Sequence, residues 1–592
     1  ANFRGVYDEF TYDAEGNIDK SLMLSYVAAV VVNGTDKIYW DFENVWMIGT
    51  QHKYPILNKL GASVSDEIYN YKDESKIYNY SDLSRAMSAI SNGTGESYYI
   101  LVNNIEIPAG TEFAPATKSF SGIFEGNNKY ISGINITTGI INNSSNKAGL
   151  FLKTTSNALI QNLTIKNIKI AEGATHAGAI VAENEGVIKN CTIIQDEKLE
   201  NEPNILASTY AGGICGTNMG TIDNCRVQNQ TIVLRNSKED QERFVGGIAG
   251  INGASNSSQT ATIKNSCVVT SIVKDDFNKT EFDSNLNYNF KNNFSNIKYF
   301  VGGISGVNFY LITKNYIFES NISANEFSKY GAVAGISALT RSDALLNANA
   351  SEISYNKLLG GSITGYIAAG IACEQYGKVE FNQIGCGNET QQDSEGHSVA
   401  FTTLVKGAEI AGLSNKLFIG ARLFNCFVNV RLYNTMNGTG HSAGICNVND
   451  YYASQRWFGE KSVYGEFGQI ISICTFENNA YKHNRYDCTM DYRKETSFLR
   501  TDRDTGYGNN LIWVETGNAW HDDSPEISSF NDSRQMNVKW YGSVDDLRIS
   551  ATNKELAELS VNYGFDQNAW DFVSVGEYPK LTNLPVILEI EE

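Results

Sequence analysis

Gly212-Gly213-Ile214-Cys215-Gly216-Thr217-Asn218-Met219-Gly220-Thr221-Ile222-Asp223-Asn224-Cys225-Arg226-Val227 is the stretch on which the fold turns. A near copy, with Gly178 34 residues before Gly212, lies upstream, Ala177-Gly178-Ala179-Ile180-Val181-Ala182-Glu183-Asn184-Glu185-Gly186-Val187-Ile188-Lys189-Asn190-Cys191-Thr192-Ile193. Another begins 34 residues downstream, Gly246-Gly247-Ile248-Ala249-Gly250-Ile251-Asn252-Gly253, and resumes at Thr262-Ile263-Lys264-Asn265-Ser266-Cys267-Val268. Weaker copies continue on both sides, from Ala148-Gly149-Leu150-Phe151 to Ser442-Ala443-Gly444-Ile445-Cys446. Repetition at such a period marks a stacked architecture.

Each unit holds two or three short runs of alternating apolar residues broken by Gly and Asn, with no helical periodicity between them. About 30 residues with short strands is one turn of a parallel β-helix, and a lone turn cannot bury its apolar side. The predicted fold is therefore all-β, a parallel β-helix (solenoid) with short capping helices and a β-rich N-terminal segment. Stacking at the ~4.8 Å strand spacing lines up Ile180, Ile214 and Ile248 as an internal column. Asn190, Asn224 and Asn265 suit left-handed corners, where each can bond the Asn of the next turn. Cys191, Cys225 and Cys267 form an apparent thiol column. A buried core, a disulfide and a metal site are its three readings, with packing favoured because parallel stacking aims the side chains alike.

Composition agrees. The 592 residues include 65 Asn, 52 Gly and 7 Pro, with 19 % charged and 42 % hydrophobic, which suits a chain of tight turns. A net charge of -19 argues against nucleic acid and anionic membranes as partners. No apolar run approaches the ~20 residues of a membrane span, so no membrane insertion is expected. Residue 1 is Ala, as in a processed secreted chain or one cut at a chosen boundary. There are 17 Asn-x-Ser/Thr sequons, Asn33, Asn92, Asn135, Asn278, Asn321 and Asn437 among them, where composition alone gives about ten. The excess points to a glycosylated extracellular or cell-surface protein.

The predicted organisation is an N-terminal β segment (1–76), the array (77–450), an insertion (451–550) and a C-terminal capping helix with a closing strand (551–592). Ser81 is the expected N-cap of a helix from Asp82 to about Ser91, with Gly93 as its stop and a strand over Tyr98–Ile107 beyond. A second short helix is expected over Asn553 to about Asn562. Trp40-Asp41-Phe42 running to Tyr54-Pro55-Ile56-Leu57 resembles Trp570-Asp571-Phe572 running to Tyr578-Pro579-Lys580-Leu581, and both read as closing devices. The N-terminal one has no array before it. Residues 1–60 either pack in cis or join a neighbour through Leu22, Leu24, Val30, Val32, Trp40 and Trp46, which would give self-association into an oligomer or a head-to-tail filament.

Helix, strand, Phe120-Ser121-Gly122-Ile123-Phe124-Glu125-Gly126-Asn127-Asn128, Ala148-Gly149-Leu150-Phe151, the Gly-Gly-Ile coils and the closing Trp…Tyr-Pro-x-Leu together resemble bacterial-type GLUG-motif repeat proteins over residues 77–450 and 551–583. The resemblance implies a β-helix in a secreted or surface protein, associated with adhesins and with non-catalytic parts of larger enzymes, and transfers no catalytic residue.

Insertion 451–550 is rich in aromatic and charged residues, and Trp457, Tyr486, Trp513, Trp520 and Trp540 are candidate contact residues, for instance with surface glycans. The paired acids Asp275-Asp276, Asp522-Asp523 and Asp545-Asp546 lack the companion motifs of polysaccharide-cleaving β-helices. No resident cofactor is expected; Asp502-Arg503-Asp504-Thr505-Gly506 opens like a Ca²⁺ loop but has no Glu at its twelfth position. The sequence thus points to an extracellular structural or adhesive solenoid without catalysis. The alternatives are a carbohydrate-binding or polysaccharide-cleaving β-helix, and a trimer of the phage-tailspike type.

Overall fold

The computed structural model describes residues 73–196, 202–235, 241–254, 260–276, 297–341, 351–385, 398–418, 421–436 and 441–449, with the segments 30–32, 36–38, 46–47, 56–57, 390–392, 466–477, 511–514, 539–541, 569–571 and 580–581. They form a parallel β-helix. The quoted stretch belongs to a rung of five short strands, Tyr210–Gly212, Cys215–Asn218, Thr221–Asp223, Arg226–Gln228 and Thr231–Leu234. Each pairs in parallel with its counterparts above and below: Ile222 stands between Ile188 and Ile263, and Val227 between Ile193 and Val268. The first strands form one nine-stranded sheet and the second strands another; the other three series merge into a single large sheet. Five strands replace the expected two or three because residues in the left-handed region break the third wall, Asn224 at φ 52° and Asn229 at φ 55° in this rung.

Ile180, Ile214 and Ile248 lie on successive rungs, each 0 % exposed. The Ile180 amide donates to the Ile214 carbonyl (3.1 Å), Ile214 to Ile248 (2.9 Å) and Ile248 to Ile304 (3.0 Å). Each buried Ile contributes about 1.5–3 kcal/mol of apolar transfer. The adjoining glycines serve close approach: a Cβ on Gly213 would stand 2.3 Å from the Gly247 carbonyl oxygen, and one on Gly220 2.0 Å from that of Gly186.

Helix α1 (Tyr80–Asn92) covers the N-terminal end, burying Leu83, Ala86, Met87 and Ile90. Its N-cap is Asn79 rather than Ser81. Asn79 is extended (φ -157°) and its side chain accepts from the Asp82 amide at 3.1 Å, so Ser81 is already helical. Gly93 ends the helix at φ 78° as expected. The strand expected over Tyr98–Ile107 is two, Tyr98–Leu101 and Ile105–Glu106. A one-and-a-half-turn helix α2 (Thr138–Asn143) precedes the strand Lys147–Ala148. No described helix is long and apolar enough to cross a membrane.

Parts of 451–550 extend the stack where the sequence suggested an interruption. Glu466–Glu477 pairs in parallel with Arg422–Asn429, Leu511–Val514 pairs on it, and Lys539–Tyr541 pairs on that. Beyond them, Trp570–Asp571 and Lys580–Leu581 form an antiparallel pair with Trp570 opposite Leu581. Near the N-terminus Trp46–Met47 pairs with Ile56–Leu57, Trp46 opposite Leu57. The counterpart of Trp570 is thus Trp46, not Trp40. The helix expected over 553–562 lies outside the described residues.

Candidate functional site

Strands in the first wall alternate between two environments. Ala211, Val245 and Val301 join the main core, while Tyr210, Phe244 and Phe300 stand on the opposite face with a second apolar cluster. Val307 and Leu339 of the second wall belong to that cluster, seven residues after Phe300 and Ala332 on the same rungs. The two walls therefore face each other across an outer furrow that these side chains fill, Phe244, Phe300, Val307 and Leu339 being 5 % exposed or less. Rings run along it: His176 and Tyr210 stack at 4.4 Å, Tyr210 and Phe244 at 5.5 Å, Phe244 and Phe300 at 5.4 Å. Backbones meet closely at its floor, where a Cβ on Gly306 would lie 2.7 Å from the Phe300 carbonyl oxygen. Further on, that place is filled by Cys373, whose thiol donates to the Val333 carbonyl at 3.1 Å.

Charged residues sit at the ends and rim. Glu183 accepts from Lys147 at 2.9 Å and lies 3.6 Å from His176 Nε2. Burial pushes His176 down to about 4 despite the opposing pull of Glu183, so the ring is neutral near pH 7. Arg341, just after the second wall, reaches Glu242, just before the first, at 3.7 Å. Glu374 follows Leu339 along the second wall and is followed by Lys416. Burial raises its carboxyl to about 7, with Lys416 and Arg341 pulling the other way. A carboxyl that keeps its proton near neutrality can donate a hydrogen bond or a proton. Among the described residues no three His, Cys, Asp or Glu converge as metal ligands.

The interior carries amide ladders. Asn184 Nδ2 donates to Asn218 Oδ1, Asn218 to Asn252 and Asn252 to Asn308, each at 2.8 Å, and all four are 0 % exposed. Thr154 caps one end by donating to Asn184 Oδ1 at 2.8 Å. This is the Asn of the Asn-x-Gly in the quoted repeat, and the repeat pattern was its signal. The corner ladder runs Asn224 to Asn190 (2.9 Å) and Asn190 to Asn162 (3.0 Å), but Asn265 turns to Asp223 at 2.7 Å.

The thiol column ends at two. Cys191 and Cys225 are buried, but Ser266 takes the next place, its Oγ accepting from the Cys225 amide at 3.1 Å. Cys267 lies one residue further, opposite Arg226, because Ser266 stands between Asn265 and Cys267 where the earlier units have none. All eight described cysteines are free thiols. From Asn315 onward Asn fills the same interior place: Asn315 donates to Asn356 and Asn356 to Asn382, both at 3.0 Å.

The other predicted residues scatter. Asn92 is exposed at the end of α1; Asn135 and Asn321 are half-buried in strands, with Asn321 Oδ1 accepting from Ser362 at 2.9 Å. Val30, Val32 and Trp46 lie in short strands. Trp513 and Trp540 lie on adjacent strands, Ile512 being opposite Trp540. Leu22, Leu24, Asn33, Trp40, Asn278, Asn437, Trp457, Tyr486, Asp502, Asp504 and Trp520 lie outside the described residues.

No family model and no curated protein matches the chain. Among solved structures, a Bacteroides ovatus protein described as a candidate immunoglobulin A1 protease is similar over 86 % of this chain and 91 % of its own, at 13 % identity and a TM-score of 0.25.

Proposed function

We propose that the protein is a structural and adhesive solenoid acting outside the cell, a stiff β-helical rod whose outer faces make contacts. The observation that carries this is the occupation of the rung interior. The Ile column and the Asn184–Asn308 ladder fill it, so recognition falls to the outer faces of the walls and the aromatic-rich residues after 450. The excess of sequons and the resemblance to GLUG-motif repeat proteins support an extracellular setting. Small-angle scattering and electron microscopy of the full chain test the rod: an elongated particle is expected, and a compact one refutes it. Binding to immobilised glycans and host-surface proteins tests adhesion, and no retention on any of them refutes it.

A glycan-directed activity is a second reading, favoured by Glu374, whose carboxyl, raised to about 7 by burial, keeps part of its proton near pH 7 beside the second apolar cluster and its stacked rings. Release of reducing ends from a polysaccharide panel, abolished by Glu374→Gln, would establish it; no release excludes it.

A further inference from the structure

The Trp570–Leu581 hairpin has a built seat on the β-helix. Trp570 is 2 % exposed, its Nε1 donates to the Asn425 carbonyl at 3.2 Å, and its ring lies 6.4 Å from that of Phe427, which is 0 % exposed. Asn425 is a left-handed corner residue (φ 51°). Phe427 belongs to a register column that runs down the wall through Gln383, Lys357, Tyr316, Cys267, Arg226, Thr192 and Thr164 to Tyr130. Two residues before each member stands a corner residue with positive φ: Asn425, Phe381, Tyr355, Lys314, Asn265, Asn224, Asn190, Asn162 and Asn128. Of these nine positions, the first and the ninth combine a corner Asn with an aromatic ring two residues on. The ninth holds the Trp570 hairpin. The first, Asn128 and Tyr130, is more open: Asn128 is exposed and Tyr130 half-buried, with Lys166 Nζ 4.6 Å from its ring centre and Glu106 bonding its hydroxyl.

The chain carries a second hairpin of the same make. Trp46 to Leu57 and Trp570 to Leu581 both span twelve residues, both carry Tyr-Pro eight residues after the Trp, and both place the Trp opposite the Leu. We infer that the hairpin of residues 46–57 is the occupant of the Asn128/Tyr130 seat, docking there in cis as residues 570–581 dock on Asn425/Phe427. Fifteen residues separate Leu57 from Asp73, and at about 3.3 Å per residue they reach roughly 50 Å, more than the ~10 Å of two strand spacings from Lys76–Ile77 across Tyr98–Leu101 to Ile123–Ser132. A tethered hairpin faces its seat at an effective concentration of order millimolar, which a second molecule matches only in concentrated solution. The N-terminal segment is then a lateral clamp on the first rungs and not a joint between subunits. This goes beyond the proposed adhesive role and stands or falls without it.

The test places the photoreactive p-benzoylphenylalanine at position 130 of the full chain, and separately at exposed Glu106, so that one probe remains if the other variant misfolds. Equal amounts of unlabelled and ¹⁵N-labelled chain are mixed, irradiated and digested. Cross-links from the folded variant into residues 46–57 are expected, with both peptides carrying the same isotope, and Trp46→Ala should reduce them at least tenfold. Cross-links that join unlike isotopes, that fall outside 46–57 or that survive Trp46→Ala overturn the assignment.

Discussion

Asn218 carries the sharpest test of the interior ladder. Its Oδ1 accepts from Asn184 Nδ2 at 2.8 Å and from the Gly220 amide at 3.3 Å; its Nδ2 donates to Asn252 Oδ1 at 2.8 Å and to the carbonyls of Gly220 and Thr262 at 3.2 and 3.3 Å. Asn218→Ala strips Asn252 Oδ1, the Gly220 amide and the Thr262 carbonyl of these partners in a dry interior. At about 1–3 kcal/mol per orphaned group, less what relaxation recovers, the loss is about 4 kcal/mol. Asn218→Asp keeps the acceptor but turns an oxygen toward Asn252 Oδ1 and two carbonyls. A neutral carboxyl restores one donor, whereas a carboxylate is buried among acceptors. The folded chain therefore holds this proton above the ordinary Asp value of about 3.9. The folded state binds more protons than the unfolded, so the variant is most stable below pH ~4 and loses stability as pH rises above it. Stacked repeats need not unfold in one step, so hydrogen exchange read by mass spectrometry is the assay, on strands 181–184, 215–218 and 249–252. About 4 kcal/mol is roughly a thousandfold faster exchange, centred on these rungs and fading toward residue 371. Equal exchange in Asn218→Ala and wild type, or an Asn218→Asp variant no worse at pH 7 than at pH 4, would refute the ladder as a source of stability.

Gly213→Ala should cost about 2–3 kcal/mol in chemical denaturation, because the new Cβ meets a backbone oxygen that stacking holds in place; Gly139→Ala in α2, with nothing nearer than 3.8 Å, should not destabilise. The interior thiols should resist alkylation in the native protein at pH 8. Burial pushes Cys426 up to about 12 and Cys225 well above its ordinary value, while Cys267, pushed up to about 11 and partly exposed, should be modified before Cys225 and Cys426 on alkalinisation; peptide mapping after iodoacetamide shows the order, and labelling of Cys225 ahead of Cys267 contradicts the packing. His176, lowered to about 4, binds its proton in the unfolded chain before the folded one does. Its stabilising share is complete above pH ~6.5 and drains by up to about 3 kcal/mol as pH falls toward 4; an imidazole titration by NMR with a midpoint above 6 would contradict the burial that causes it.

The rung geometry was legible because stacking repeats a physical demand. Gly213 and Ile214 must recur wherever a Cβ would fall within 2.3 Å of the next rung's carbonyl oxygen and a side chain must point inward, so their spacing shows in the chain itself. The furrow was harder to see. Tyr210, Phe244 and Phe300 each stand two residues before a Gly pair or its first Gly, but which face they take follows from the strand pairing, which a period alone does not give. The duplicated hairpin was visible as two Trp…Tyr-Pro-x-Leu signatures. Its register was less plain: the Trp-Asp-Phe likeness selects Trp40, whereas the eight-residue spacing to Tyr-Pro selects Trp46, and the pairing of Trp46 with Leu57 decides for the second.

The Asn residues show where such reading runs out. In the rungs of Asn190 and Asn224, Asn occupies the left-handed corner and Cys the interior place after it. In those of Asn315, Asn356 and Asn382 the two functions change places: Lys314, Tyr355 and Phe381 take the corner at φ 56°, and Asn moves inward to bond the next rung. Corner strain for a bulky residue costs on the order of 1–2 kcal/mol. An interior amide that donates to the rung beneath and accepts from the rung above offsets it, and Tyr355 and Phe381 add a ring stack at 4.8 Å outside. The one-letter pattern is nearly unchanged while the side chain has crossed from corner to core. Neighbouring rungs, not local sequence, decide which of two adjacent places an Asn fills, so a corner Asn becomes dependable only once the register is known.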